Sequence, residues 1–163
     1  MHRMQKKRGE RKKIVSIILI GGTVLFLDQL SKFYIQKSLV IGQLIPVLGD
    51  FFRITYLKNP GVAFGLFPGQ RLFFIFITFA IIILLFTYLR RVERAGIWLK
   101  LSLSLILGGA LGNLIDRLRM GEVIDFLDFG FGPHRWPAFN LADSAISVGV
   151  GMLLIKILKR KDK

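Results

Sequence analysis

The sequence predicts an all-α membrane protein, a four-transmembrane-helix bundle with a small extracytoplasmic β element, in one domain over residues 1–163. Three observations point there. Hydrophobic residues make up 53% of the chain and mean hydropathy is +0.55, more apolar than a soluble domain of this length. The net charge is nevertheless +14, a combination expected when basic residues sit outside a bilayer. Four apolar stretches, at about 14–35, 72–89, 97–115 and 141–158, each approach the roughly 20 residues that a bilayer-crossing helix requires.

The first stretch follows a basic run, as a cleaved secretory signal would. Asp28, Gln29 and Lys32 do not form a small-residue cleavage site, so a retained span is the expectation. Orientation follows from where the cations fall. Seven precede the first span (Arg3, Lys6, Lys7, Arg8, Arg11, Lys12, Lys13) and four lie between the second and third (Arg90, Arg91, Arg94, Lys100). Five more follow the fourth span (Lys156, Lys159, Arg160, Lys161, Lys163), so 16 of the 24 share one side. The positive-inside rule makes that side, with both termini, cytoplasmic. This distribution argues against a nucleic-acid partner and for contact with anionic membrane lipids.

Two connections then lie on the outer side. In residues 36–71, Phe52, Ile54 and Tyr56 alternate with Arg53, Thr55 and Leu57, a strand-like period of two. The turn-rich "NPGVAFGLFPG" follows, which places a β element at about 43–66. Residues 117–138 form the second connection and lead into "RWPAF", an interfacial aromatic signature before the fourth span. In the third span Gly108 and Gly112 share a helix face and predict close packing, with the fourth span as the expected neighbour.

Polar residues inside the spans carry the chemistry. At about 1.5 Å per residue from the nearest cytoplasmic lysine, Asp28, Asp116 and Asp143 all fall about 20 to 24 Å above the inner edge, in the outer third of the core. Independent accidents would scatter. Asp28 has Lys32 four residues on and Asp116 has Arg117 beside it, so pairing accounts for both as readily as function. Asp143 has no basic neighbour in sequence. Asp125 sits between Ile124 and Phe126 just past the third span, whereas Asp128 reads as a solvated loop charge.

With no cysteine and only His2 and His134, a thiolate nucleophile, disulfides and a His-based metal site drop out, and neither metal nor cofactor is expected. The remaining catalytic groups are acids. Two aspartates sharing a proton can hydrolyse an amide, the charged one drawing a proton from water while the neutral one protonates the carbonyl oxygen. Asp125 and Asp143 are the pair best placed to do so, near the outer surface where water enters. Asn113 and Asn140 can bond these acids, or equally cap a helix or a loop carbonyl. A proton-coupled transporter subunit, or an assembly protein whose acids are dispensable, are the rival readings.

Five strings, "DQLSK" at 28–32, "KNPGVAFG" at 58–65, "GNLIDR" at 112–117, "EVIDF" at 122–126 and "FNLADS" at 139–144, occur in order along this four-span frame. In them the chain resembles bacterial lipoprotein signal peptidase (signal peptidase II), an aspartyl endopeptidase of the cytoplasmic membrane. The resemblance implies a four-helix bundle with an extracytoplasmic β-cradle, and Asp125 and Asp143 as the catalytic dyad. It implies that Asp28, Lys32, Asn59, Gly61, Asn113, Asp116, Arg117, Asn140 and Ala142 line or support the site. It also implies action on prolipoproteins that bear a diacylglyceryl cysteine, with cleavage just before that cysteine; a monomer is the expectation. Val62, where the family often has alanine, and the "RMGE" connection are the departures, and neither touches the dyad.

Overall fold

The computed structural model describes residues 2–61, 71–91 and 96–161, with side chains from residue 15 onward except at 71, 86, 88–91, 160 and 161. Residues 62–70 of the turn-rich segment, and the side chains of most of the basic clusters, lie outside this description. Helix α1 (His2–Ser38) is followed by strands β1 (Leu44–Leu48) and β2 (Phe52–Asn59), then helices α2 (Arg71–Arg91) and α3 (Ile97–Met120). Strands β3 (Val123–Phe131) and β4 (His134–Arg135) precede helix α4 (Leu141–Lys161).

Three of these helices contain runs long and apolar enough to cross a membrane: Val15–Ser38, Ile97–Met120 and Leu141–Lys159. Among the residues of α2 whose side chains are described, the corresponding run is Leu72–Leu85. Helix α3 is the inner one, packing against α1, α2 and α4. Of its most apolar window 61% is buried, against 11% for α4. The polarity is that of a protein in lipid, with Phe26, Phe76, Leu84 and Leu154 facing outward while Asp28, Lys32, Asn113 and Asp116 are buried.

Close helix approach depends on glycine. A β-carbon on Gly108 would stand 2.5 Å from the Gly21 carbonyl oxygen, and one on Gly112 would stand 2.5 Å from Asp28 Oδ2. The Gly108/Gly112 face therefore serves α1 first, with α4, the expected neighbour, touched at Gly112. Helix α3 also packs against α4: Gly112 reaches the Ala142 side chain, Gly109 lies beneath the Ala142 carbonyl, and at another level Gly149 of α4 sits so close that an added β-carbon would meet Ser102 and Ile106. Four-residue spacing marks one face and does not say which neighbour fills it.

Helix α3 runs five residues past the expected end at 115. It stops where Gly121 adopts φ 81°, in the left-handed region, with its N–H on the Arg117 carbonyl at 3.1 Å. This sharp end starts β3, so the residues expected to be a plain connection at 117–138 hold the longest strand. The strands pair antiparallel in the order β1-β2-β3-β4. The alternation at residues 52–57 is strand β2, as expected. A bulge between Ile54 and Leu57 puts one extra residue in β2, so Leu57 opposes Asp125 while Ile54 opposes Leu127.

Candidate active site

Asp125 and Asp128 lie three apart on β3, so their side chains leave opposite faces of the sheet. Asp128 is buried at 6% exposure, which overturns the expected solvated loop charge. Its carboxylate joins Arg53 Nη2 at 2.8 Å and Arg135 Nε at 2.7 Å, binding β2, β3 and β4 together. Sequence distance hid these partners. Asp125 faces the helices and is 3% exposed.

Two contacts bring β3 to the start of α4. Leu127 N–H donates to the Phe139 carbonyl at 2.8 Å, and Phe139 N–H returns to the Leu127 carbonyl at 3.1 Å. Asn140, the next residue, caps α4: its Oδ1 accepts the Asp143 N–H at 2.9 Å, while Asp143 Oδ2 accepts the Asn140 N–H at 3.3 Å. This is a capping box with an aspartate in the third helical position. Asn140 Nδ2 also donates to Asp125 Oδ1 at 2.8 Å. One buried asparagine thus holds both carboxyl groups. Capping and acid contact, equal alternatives for Asn140 in the sequence, are both realised.

Each carboxyl has a second amide donor. Asn59 Nδ2, diagonally across from Asp125 on β2, donates to its Oδ2 at 2.8 Å. Asn59 Oδ1 accepts the Gly61 N–H at 3.0 Å, which fixes the direction of that amide. Asn113 Nδ2 donates to Asp143 Oδ1 at 2.7 Å.

Behind Asn113 lies an ion cluster. The Lys32 ammonium, 2% exposed, meets Asp28 Oδ2 at 2.8 Å, Asp116 Oδ2 at 2.7 Å and Asn113 Oδ1 at 3.1 Å, which satisfies all three of its donors. Pairing of Asp28 with Lys32 is as expected, but the partner of Asp116 is also Lys32. Arg117, the expected partner of Asp116, reaches the Gly61 carbonyl at 3.1 Å and the Asn113 carbonyl at 3.4 Å, with Phe74 under its guanidinium. Adjacent helix positions point about 100° apart, so proximity in sequence misled here.

Asp28 does one thing more. Its Oδ1 accepts the Ala142 N–H at 2.9 Å, so a carboxylate of α1 satisfies an otherwise orphaned donor of α4. Ala142 is fully buried against Gly109 and Gly112, where a larger side chain has no room. Gln29 was not anticipated: its Nε2 bonds Asp116 Oδ1 at 2.9 Å, and the Gly112 carbonyl and Asp28 Oδ2 at 3.2 Å. Its place inside "DQLSK" was the available signal. The three acids expected at one depth do meet in this single connected layer.

Asp125 and Asp143 line one cleft of about 510 Å³, with Asn59, Gly61, Asn113 and Arg117 in its wall. Phe139, Ser144 and Val148 complete it on the α4 side. Burial pushes the Asp125 carboxyl up to about 7, and the nearby Asp143 charge pushes the same way. The amides of Asn59 and Asn140 and the Lys32 charge pull it down. Such a group exchanges protons near neutrality, as general acid–base chemistry requires. A second hollow of about 450 Å³ lies beside Arg53, Asp128 and Arg135 and touches neither acid of the pair.

Residues 18–159 match the family model described as Signal peptidase (SPase) II. The chain belongs to this family. Its relatives include a lipoprotein signal peptidase of Syntrophus aciditrophicus, 42% identical over 94% of this chain and 99% of that protein. Another, from Desulfitobacterium hafniense, is 48% identical over 84% of this chain and 89% of its own. A solved bacterial membrane enzyme superposes with TM-score 0.86 at 36% identity, covering 91% of this chain and 90% of its own. A second such structure gives 0.80 at 37% identity, over 90% and 94%. Membership in a signal peptidase II family, whose members are proteases of the membrane, decides against the transporter and assembly readings.

Proposed function

We propose that this chain removes signal peptides from lipid-modified prolipoproteins as an aspartic-type endopeptidase, with Asp125 and Asp143 as its catalytic pair. The observation that carries this reading is that the two carboxyls line one cleft and are tied to each other through Asn140. The family supplies the substrate class; the residues supply the chemistry.

Water held between the carboxyls attacks the scissile carbonyl carbon. The charged aspartate takes a proton from it as the neutral one protonates the carbonyl oxygen. In the resulting gem-diol the newly protonated aspartate gives its proton to the leaving nitrogen, and the C–N bond breaks. The other recovers its proton from a diol hydroxyl, which restores the starting state. Asn59, Asn113 and Asn140 hold the acids in register, and Lys32, Asp28 and Asp116 brace Asn113 from behind. Arg117, with Gly61, forms the cleft wall and offers guanidinium donors to a substrate backbone.

The same reading places all four helices across the bacterial cytoplasmic membrane as a single-domain monomer, with both termini cytoplasmic and the sheet on the outer surface. Cleavage falls just before the diacylglyceryl cysteine. Burial of its acyl chains in lipid fixes the height of the scissile bond, so little freedom remains to be lost on binding. The apolar outward faces of α1 and α4 support lipid contact.

The test is hydrolysis of a lipidated prolipoprotein by protein purified in detergent. Wild type cleaves it, whereas Asp125→Asn and Asp143→Asn fold but do not. Retained cleavage in either folded variant overturns the dyad, and proton flux in liposomes without hydrolysis overturns the protease.

A further inference from the structure

The carboxamide of Asn113 has one oxygen and one NH2 group, and its surroundings allow a single orientation. Its Oδ1 faces the Lys32 ammonium at 3.1 Å, which can only donate, and takes a second hydrogen bond from Asn140 Nδ2 at 3.3 Å. Its NH2 group is thereby turned onto Asp143 Oδ1, 2.7 Å away. Lys32 cannot swing aside, because Asp28 and Asp116 hold it at 2.8 Å and 2.7 Å. The other oxygen of Asp143 accepts the Asn140 backbone N–H. Asp143 therefore accepts at both oxygens from donors that cannot reverse, and it sits in the first turn of α4, where the helix dipole favours negative charge. Asp125 lies on a strand with no helix end behind it, and both its donors are side-chain amides, themselves fixed in direction by the Gly61 and Asp143 backbone N–H groups.

We propose that Lys32 is a positioning residue for the catalytic pair: by holding the oxygen of Asn113 it aims the amide NH2 at Asp143, making Asp143 the member that rests as the carboxylate while Asp125 carries the shared proton. This rests on the dyad reading above and assigns its two roles. Asp143 becomes the base that takes the proton from water, and Asp125 the acid that protonates the carbonyl oxygen.

The charges facing Asp143 come from three elements: Lys32 and Asp28 on α1, Arg117 and Asp116 on α3, and Asp125 on β3. With one proton on the pair, two cations face three carboxylates. The summed field therefore does not single out Asp143; its place at the amino end of α4, with a backbone N–H on one oxygen and the Asn113 amide turned onto the other, does. The Asp125 carboxyl, pushed up to about 7 chiefly by burial, agrees with a proton residing there.

Lys32→Met alone strands two buried carboxylates and risks unfolding. Asn113→Asp is the better variant, since it keeps the shape and the partner of Lys32 but replaces the donor to Asp143 with an acceptor. Its acidic limb of the kcat/KM–pH profile should rise by about one pH unit or more, the effect of a like charge at contact distance. That corresponds to roughly a tenfold loss or more at pH values on this limb, with KM near that of wild type. The charge-balanced double variant Lys32→Met with Asp28→Asn frees Asn113 to turn and should move the limb the same way. An unmoved limb in whichever of these folds makes Lys32 merely structural and overturns the proposal while leaving the dyad intact. Full hydrolysis by folded Asp143→Asn or Asp125→Asn removes the dyad itself.

Discussion

Asp125→Asn should reverse its effect on stability as pH rises. A carboxyl whose folded-state value is about 7, against an ordinary 3.8, binds its proton more tightly in the native protein than in the unfolded chain. Native stability from this group is therefore greatest at low pH. It falls as pH rises from about 4 to about 7 and is flat beyond. At about 1.4 kcal/mol per unit the whole fall is about 4 kcal/mol. Asparagine has no such titration, but it carries a different cost. Oδ1 of Asp125 faces the Asn140 amide and Oδ2 faces the Asn59 amide, whose own oxygen is committed to Gly61 N–H. An NH2 group at position 125 therefore meets a donor on one side, at about 1 to 3 kcal/mol. A protonated aspartic acid escapes this, because its hydroxyl oxygen still accepts. The variant should melt below wild type at pH 4 and above it at pH 8, by about 1 to 3 kcal/mol at the latter, with the crossing between about pH 4.5 and 6. Parallel thermal melts in detergent across this range measure it. A gap between the two proteins that does not change with pH refutes the reasoning.

Removing one donor gives a complementary readout. Asn59→Ala deletes a hydrogen bond that holds the Asp125 carboxyl down, so the pH limb belonging to Asp125 should move upward in a pH–rate series. Asp128→Ala leaves Arg53 and Arg135 only the exposed Asp50 as a shared carboxylate and should cost about 1 to 3 kcal/mol of stability, seen as a lowered melting temperature with the residual folded fraction still active. Gly109→Val thrusts a side chain into the Ala142 carbonyl and Ile146, and should abolish folding as judged by size-exclusion and melting, whereas Gly22→Ala, with open space around it, should be silent.

Much of this architecture was legible because bilayer crossing imposes long apolar runs, and depth counting from lysines found three acids in one layer. What escaped detection depended on partners distant in sequence. Strand β3 was missed because Asp125 is buried on one face and Asp128 on the other, so "VIDFLDF" shows no clean alternation of polar and apolar positions. Asp128 read as solvated because Arg53 is 75 residues away. Arg117 next to Asp116 was a false partner, since neighbours in sequence diverge on a helix. The pair Asp125 and Asp143 could be chosen by elimination of other chemistry. Its buried connections through Asn59, Asn113 and Asn140 required coordinates.

The bond from Asp28 to the Ala142 N–H spans 114 residues and joins the first helix to the last. Its consequence concerns biogenesis. A nascent polypeptide emerging only as far as α3 has Lys32 and Asp28 in place but lacks Asp125, Asn140 and Asp143, so it holds the ion cluster and neither acid of the proposed pair. Proteolytic competence arrives in one step, when the final helix inserts and its amino end docks on a carboxylate made more than a hundred residues earlier. Ribosomes stalled or truncated before that point yield inert membrane protein instead of a misdirected protease.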